Sequence, residues 1–225
     1  MGRAVLSFEA RRNRMVSEQL RRRDIVDPKV LAAFARVPRE AFVDEPMVDH
    51  AYEDGPLPIG DGQTISQPYV VAMTVQALAL QGHEHVLEIG AGSGYAAAIL
   101  GAIAREVDTV ERIEALARKA AARLAQLGFA NVHVHHADGS IGWLPGAPYE
   151  AIAVAAGAPR PPPSLLDQLA IGGRLVLPHG DSDHQRLVRI TRKSDRSFVE
   201  EDLGDVRFVP LVGVEGWPDK PRGVA

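Results

Sequence analysis

Three glycines stand at alternate positions, Gly90, Gly92 and Gly94, between the short apolar run HVLEI and the alanine-rich stretch YAAAIL. Glycine has no Cβ, so the backbone can approach a ligand closely, and the start of a following helix offers N–H groups without partners. Glu111 follows about 20 residues later, the separation at which a carboxylate ending the next strand accepts hydrogen bonds from ribose hydroxyls. The spacing predicts a crevice that binds a nucleoside.

The type of nucleoside follows from the neighbouring residues. The dinucleotide fingerprint GxGxxG requires a glycine where Tyr95 stands, so the observed GxGxG disfavours a pyrophosphate. Glu88 resembles the acid with which methyltransferases finish this strand, although it is also suited to a structural hydrogen bond. S-adenosylmethionine carries a cationic sulfonium and no phosphate, which makes acids tolerable. Asp138-Gly139 lies where it would meet the adenine, but the pair is also an ordinary turn signal.

These residues need a sheet whose strands end side by side. Short apolar runs suited to buried parallel strands alternate with segments of helical spacing. The predicted strands are HVLEI (85–89), EVDTV (106–110), NVHVH, EAIAVAA (150–156) and RLVLP (174–178), and the predicted helices cover 68–80, 95–104, 112–127 and LLDQLA. This alternation predicts an α/β fold with a doubly wound, mostly parallel sheet. RLVRITR and SFVEEDLGDVRFVPL then alternate in polarity, which predicts an antiparallel edge.

The segment before the first strand divides into two parts. Residues 9–23 have helical spacing, and Asp27-Pro28 is typical of a helix start, with the helix running to about Phe34. Residues 52–67, which contain PLPIGDGQTISQ, hold so many Gly and Pro that we expect a long loop. The first 45 residues are therefore predicted to be a helical prefix, followed by a loop suited to function.

Composition excludes several classes of protein. The chain has 225 residues, 46% of them hydrophobic and 24% charged, as in an ordinary globular domain. A net charge of -4 gives no basic surface for nucleic acid. The absence of Cys and of an apolar run of membrane-spanning length favours a cytoplasmic protein that does not contact membranes. His133, His135 and His136 alternate along a strand, so only two share a face, and we expect no metal site.

Six segments resemble, in the same order, blocks of the protein-L-isoaspartate O-methyltransferase family: MVSEQLRRRDI, VPREAFV, AYEDGPLPIGDGQTISQPYVVA, VLEIGAGSGYAAA, LLDQLAIGGRLVLPHG and RFVPL. The resemblance runs from about Met15 to Gly213, and PLPIGDGQTISQP is its most specific part. It implies a Rossmann-like methyltransferase fold and S-adenosyl-L-methionine as cofactor. The implied activity is methyl esterification of the free carboxylate of L-isoaspartyl residues in damaged proteins and peptides, which starts repair through a succinimide.

The resemblance also implies site residues. Ser66 would be the active-site hydroxyl with Thr64 as a second donor; Ile59, Gly60, Asp61 and Gly62 would lie against the cofactor, and Asp138 and Gly139 against its adenine. Ser66 before Gln-Pro is alternatively an N-cap, and Thr64 alternatively a structural loop residue. The chain departs from the family pattern at Ala137, Glu150 and Ala155.

We expect one methyltransferase domain over residues 1–225, with a helical prefix at 1–45, a substrate and active-site loop at 52–67, a cofactor-binding core at 84–180 and antiparallel strands at 181–213. The expected partners are isoaspartyl proteins and peptides, and the working expectation is a monomer. The alternatives are a methyltransferase for a small molecule or RNA, a nicotinamide dehydrogenase, and a cofactor-binding module without activity. The acidic net charge opposes RNA, Tyr95 opposes the dehydrogenase, and the complete PLPIGDGQTISQP segment opposes the inactive module.

Overall fold

The N-terminal segment folds into helices of three different pitches. The structure, a computed structural model, describes residues 6–181 and 183–219. Helix α1 (Phe8–Arg14) continues as a π-helix over Met15–Leu20 and a 3-10 turn over Arg21–Arg23. The expectation of one regular helix over 9–23 is therefore wrong. Met15 and Leu20 are five residues apart and both are buried, which suits the i to i+5 spacing of a π-helix.

Helix α2 (Pro28–Arg36) begins as predicted, because the Asp27 side chain accepts hydrogen bonds from the Lys29 and Val30 amides. It extends two residues past the predicted end. Two 3-10 segments follow, at Arg39–Phe42 and Glu45–His50, so helical turns continue beyond residue 45.

A short hairpin replaces the loop predicted for residues 52–67. Strands β1 (Leu57–Gly60) and β2 (Gln63–Ile65) pair antiparallel, with Leu57 opposite Ile65. The turn between them places three consecutive residues, 60–62, at positive φ, a conformation suited to its two glycines. Leu57, Ile59 and Ile65 are buried, so a period-two pattern is present but obscured by Gly and Pro.

The remaining helices are α3 (Pro68–Leu78), α4 (Tyr95–Gly101), α5 (Glu114–Gln126) and α6 (Pro163–Asp167). Each ends earlier than predicted. The segment predicted as the helix LLDQLA changes to strand at Leu169, which pairs with Tyr149. Strand pairing therefore overrides the helical spacing there. No helix within residues 6–181 and 183–219 has both the length and the hydrophobicity needed to cross a bilayer.

The main sheet has seven strands in the spatial order β5-β4-β3-β6-β7-β8-β9. Their bounds are β3 (His85–Ile89), β4 (Glu106–Glu111), β5 (Val132–His136), β6 (Tyr149–Val154), β7 (Leu169–Gly180), β8 (Gln185–Ser194) and β9 (Ser197–Val206). Strands β3 to β7 are parallel to one another, whereas β8 pairs antiparallel with β7 and β9 pairs antiparallel with β8. This confirms the predicted doubly wound sheet with an antiparallel edge. β9 ends at Val206, short of the predicted run to Leu211.

The core lies on both faces of this sheet. Val86, Ala153 and Val176 belong to one hydrophobic cluster with residues of α2 to α5, whereas Leu87 and Ile152 belong to the other with residues near α6. Successive strand residues point to opposite faces, so strands buried on both sides must be apolar throughout. The chain passes from β3 outward to β4 and β5, then returns to β6 on the other side of β3. That reversal opens a crevice at the carboxyl ends of these strands.

Candidate active site

The crevice at this reversal collects many of the predicted site residues. It contains about 800 Å³ of empty space, including its open mouth, and is lined by parts of the glycine loop, of the hairpin and of the chain after β9. The predicted site residues among its walls are Thr64, Ser66, Gly90, Gly92, Glu111 and Gly139. Ile59, Gly60, Asp61, Gly62, Glu88, Gly94 and Asp138 lie outside this lining.

The glycine loop leaves the sheet with its backbone fixed. The Gly90 amide donates to the Val110 carbonyl at 2.8 Å, which ties the loop to β4. Gly92 has φ 52°, and a Cβ added there would lie 3.3 Å from the Ile59 side chain. A side chain at Gly92 would therefore be strained and would crowd the hairpin. Gly94 is the N-cap of α4 and faces Ala120 of α5 instead of the crevice.

Glu111 connects the two loops that flank the crevice. Its Oε2 accepts a hydrogen bond from the Gly92 amide at 2.9 Å, and its Oε1 accepts one from the Ile113 amide at 2.8 Å. Only 6% of the residue is exposed. Each carboxylate oxygen has two lone pairs, so each can accept one further bond from a ligand hydroxyl. The carboxylate is therefore positioned before any ligand arrives.

Ser66 lies between the hairpin and α3 and faces the crevice. The expectation that it caps α3 is wrong: Gln67 is the N-cap, and no side chain makes a capping bond. The Ser66 carbonyl accepts a hydrogen bond from Arg39 Nη2 at 2.9 Å, which anchors this residue to the N-terminal segment. Thr64 lies on β2, opposite Pro58, and is exposed.

Residues 59–62 of the hairpin do not line the crevice, and among them Ile59 reaches the glycine loop. Ile59 is 3% exposed and packs over Gly92, whereas Gly60, Asp61 and Gly62 form the turn itself. Sequence reasoning located this segment correctly next to the glycine loop. It does not distinguish the buried Ile59 from the turn residues beyond it.

Gly139 and Asp138 separate in the structure. Gly139 lines the crevice, and a Cβ there would lie 2.6 Å from Ile89, so this approach requires glycine. Both oxygens of Asp138 bind protein: Oδ1 accepts from the Ser140 amide at 2.8 Å, and Oδ2 from the Val214 amide at 2.8 Å. The carboxylate thus holds the C-terminal segment close behind the crevice.

Glu88 lies behind the crevice, 1% exposed, in a small cavity that it shares with Ser66 and Ala155. Its Oε2 accepts a hydrogen bond from Thr109 Oγ1, whereas Oε1 has no hydrogen-bond partner in the residues that the structure describes. Burial raises the pKa of Glu88 to about 8, and the nearby Glu111 adds to the rise. At neutral pH this side chain is a neutral acid.

Several lining residues were not predicted. Ala155 follows β6, and its amide donates to the Ile89 carbonyl at 2.8 Å. The segment Val209–Val212 also lines the crevice and is held there by hydrogen bonds with Gly157. The family-like block RFVPL was the signal for the second element. The buried Tyr95 also lines the crevice. In the sequence it is notable only because it stands where the dinucleotide fingerprint has a glycine.

The histidines that the sequence analysis considered lie elsewhere. His135 Nε2 is 2.6 Å from Asp108 Oδ1, and His85 Nε2 is 2.8 Å from Asp108 Oδ2. His133 lies 3.4 Å from Glu106. The structure, over 6–181 and 183–219, contains no group of three side chains arranged to hold a metal ion.

A doubly wound sheet with a glycine loop and a positioned acid at its strand reversal defines a Rossmann-like domain of the methyltransferase type. The sequence model of the family described as protein-L-isoaspartate(D-aspartate) O-methyltransferase (PCMT) matches residues 10–216. The chain belongs to this family.

Similar proteins agree with that assignment. Protein-L-isoaspartate O-methyltransferase 1 of Rhodopseudomonas palustris strain HaA2 is 64% identical over 212 residues, covering 94% of this chain and 86% of the relative. A solved protein-L-isoaspartate O-methyltransferase has a TM-score of 0.84 at 29% identity and covers 91% of this chain and 67% of that chain. A Plasmodium falciparum structure assigned to the same enzyme class, in complex with S-adenosyl-L-homocysteine, has a TM-score of 0.78 at 25% identity and covers 89% of this chain and 98% of that chain.

The neutral Glu88 predicts a pH-dependent stability. An unfolded glutamate has a pKa of about 4.3, so between about pH 4.5 and 8 the unfolded chain releases this proton and the folded chain keeps it. Folding therefore becomes less favourable as pH rises through this window. Glu88→Gln, which stays neutral, should gain on the order of 3 kcal/mol relative to the unmodified chain between pH 5 and 8.

Urea unfolding at a series of pH values measures this gain, with the exposed Glu9→Gln as control. If the stability curves of Glu88→Gln and the unmodified chain ran parallel from pH 5 to 8, Glu88 would not be protonated in the folded protein.

Proposed function

We propose that this protein uses S-adenosyl-L-methionine to methylate the free carboxylate of L-isoaspartyl residues in damaged proteins and peptides. The supporting observation is that Ser66, from the segment most specific to the family, lines the same crevice as the glycine loop and Glu111. A hydroxyl donor and a nucleoside-type site then face one cavity. Methyl transfer needs that arrangement.

The residues of the crevice fit the cofactor. The free lone pairs of Glu111 suit the two ribose hydroxyls, and the glycine loop leaves room for the ligand beside Gly90 and Gly92. Gly139 and Val110 offer a flat apolar wall for the adenine. Bound S-adenosyl-L-methionine supplies an electrophilic methyl group on a sulfonium.

The chemistry requires little acid or base catalysis. A carboxylate with a pKa near 4 is already ionised at neutral pH, so no residue has to remove a proton from it. Ser66, with Thr64 as a second donor, orients the carboxylate for in-line approach, and the surrounding walls exclude water. Orientation of this kind can supply about 7 to 11 kcal/mol of the barrier. Ser66 acts as a donor and not as a nucleophile, because no histidine among the described residues lines the crevice beside it.

The remaining proposals concern setting and partners. Residues 1–225 act as one methyltransferase domain, a monomer in the cytoplasm, with isoaspartyl proteins and peptides as substrates and no nucleic-acid partner. The net charge of -4 and the lack of Cys support this setting.

The decisive experiment compares an isoaspartyl peptide with its aspartyl isomer. The isoaspartyl linkage displaces the free carboxylate, and a misplacement of about 1 Å can cost on the order of 100-fold in rate. We therefore expect strong methylation of the isoaspartyl peptide only, followed by partial conversion to the aspartyl form through a succinimide. Chromatography with labelled methyl groups measures both steps. Equal methylation of the two isomers, or none by protein that binds the cofactor, would favour a methyltransferase with another substrate.

Glu111→Ala should weaken binding of S-adenosyl-L-homocysteine by roughly 1.5 to 3 kcal/mol, because hydrogen bonds to a charged acceptor are lost. Calorimetric titration measures the affinity, and Glu114→Ala, on the exposed start of α5, is the control. Unchanged affinity in a folded Glu111→Ala variant would place the ribose elsewhere.

Ser66→Ala should lower the turnover number about 10- to 100-fold, the loss expected for one hydrogen bond to an anion. Since Ser66 does not cap α3, the free energy of unfolding should change by less than about 0.5 kcal/mol. Steady-state kinetics and urea unfolding of the same samples test both statements, with Ser17→Ala as control. A stability loss with full turnover would leave Ser66 with a structural role only.

A further inference from the structure

Arg39 is a completely buried arginine directly behind the crevice. Its exposure is 0%, and it donates from Nε to the Ala51 carbonyl at 2.7 Å and from Nη2 to the Ser66 carbonyl at 2.9 Å. Both acceptors are neutral peptide groups. Within residues 6–181 and 183–219 no carboxylate lies within the 4.0 Å of an ion pair with it, and residues 1–5, 182 and 220–225 contain no Asp or Glu.

The acid next to it in sequence is engaged elsewhere. Glu40 accepts a hydrogen bond from the Tyr52 hydroxyl and lies 3.9 Å from Arg12 Nη1. Arg12, Arg39 and Glu40 thus bring together two cations and one anion. The cluster keeps an excess positive charge beneath the crevice wall.

Tyr95 and Ser66 separate this charge from the crevice. The Arg39 guanidinium lies 4.9 Å from the centre of the Tyr95 ring, and both Tyr95 and Ser66 line the crevice. Arg39 interacts with the Tyr95 hydroxyl, and beyond that contact Arg39 Nη1 and the hydroxyl have no hydrogen-bond partner in the described part of the chain. Arg39 therefore contacts two residues, Tyr95 and Ser66, that border the space in which a ligand of Ser66 would lie.

An unpaired buried charge is costly, and arginine does not relieve the cost by losing its proton. Burial lowers the pKa of Arg39, but from a value far above neutrality. An anion that enters the crevice would supply the missing opposite charge. At low effective dielectric this attraction extends over several ångströms, so direct contact is unnecessary.

We propose that Arg39 is a positioning residue whose positive potential, acting through Ser66 and the Tyr95 wall, favours and orients a carboxylate bound at Ser66. Two ligands of the proposed reaction carry one: the isoaspartyl substrate and the amino-acid part of the cofactor. The inference therefore rests on the proposed function. Its ligand chemistry, a carboxylate beside Ser66, is common to both sources.

The experiment compares ligands that differ only in this carboxylate. Calorimetry in the presence of S-adenosyl-L-homocysteine gives the affinity ratio between an isoaspartyl peptide and the same peptide with that carboxylate as a neutral amide. A second titration gives the ratio between S-adenosyl-L-homocysteine and its decarboxylated analogue. A loss of binding through general distortion would weaken both members of a pair and leave the ratio unchanged.

Arg39→Met should lower at least one ratio roughly tenfold or more, the effect expected for removing a unit charge at this range. Arg39→Lys keeps the charge and should retain the ratio within about threefold. Arg36→Met is the matched control, because Arg36 also comes from the N-terminal segment and donates to a backbone carbonyl, that of Ala102, but is exposed. A fall in the peptide ratio identifies the substrate carboxylate, and a fall in the cofactor ratio identifies the cofactor carboxylate.

Unchanged ratios in folded Arg39→Met would overturn the inference. If Arg39→Met does not fold, Arg39→Gln, which also removes the charge, is measured instead: a lowered ratio supports the role of charge, and an unchanged ratio contradicts it. Failure of the proposed function is recognised separately, since the unmodified protein would then bind the isoaspartyl peptide no better than its aspartyl isomer.

Discussion

The hydrogen bonds of Glu111 to the Gly92 and Ile113 amides are the interaction on which the crevice depends. They join the loop after β3 to the loop after β4, so the two strand ends keep a fixed separation. A charged acceptor makes stronger bonds to amides than a neutral one does, and the residue is almost fully buried, where such bonds are less weakened by water. The same carboxylate that shapes the empty crevice has lone pairs left for a ligand. The Glu111 carboxylate is thus suited both to hold the crevice in shape and to bind a ligand.

The other wall depends on the N-terminal segment. Arg39 holds the Ser66 carbonyl, while Phe34 and Phe42 pack edge-on against Tyr95 at centroid distances of 6.0 and 5.6 Å. The aromatic contacts position the start of α4, and the guanidinium positions Ser66, two residues before α3. Because both contacts come from residues 34–42, the helical prefix fixes the hairpin relative to the glycine loop. The prefix thereby positions the site, although none of its described residues, 6–45, lines the crevice.

The sheet could be predicted because its strands are buried on both faces and therefore read as continuous apolar runs separated by helical spacing. The glycine loop and Glu111 followed from the same local pattern. The hairpin at 57–65 was missed because its three inward residues alternate with Gly and Pro, which normally indicate a loop. The bond of Asp138 to the Val214 amide could not be predicted, because the two residues lie 76 positions apart in sequence. Arg39 stands in the family-like block VPREAFV, but its burial could not be predicted, since it is created only when two distant segments meet.

The charges of Glu111 and Arg39 are complementary to different parts of the proposed ligands. Glu111 supplies negative charge where ribose hydroxyls donate, and Arg39 supplies positive charge behind Ser66, where a carboxylate accepts. Glu88 lies in the cavity behind Ser66, and burial raises its pKa to about 8, so it stays protonated at neutral pH. If Glu88 were ionised, its charge would lie in the cavity that it shares with Ser66 and would repel an incoming carboxylate. A neutral Glu88 therefore preserves the potential that Arg39 creates. Under the proposal for Arg39, these two buried groups, a neutral acid and a cation, together favour an anion over a neutral isostere at Ser66.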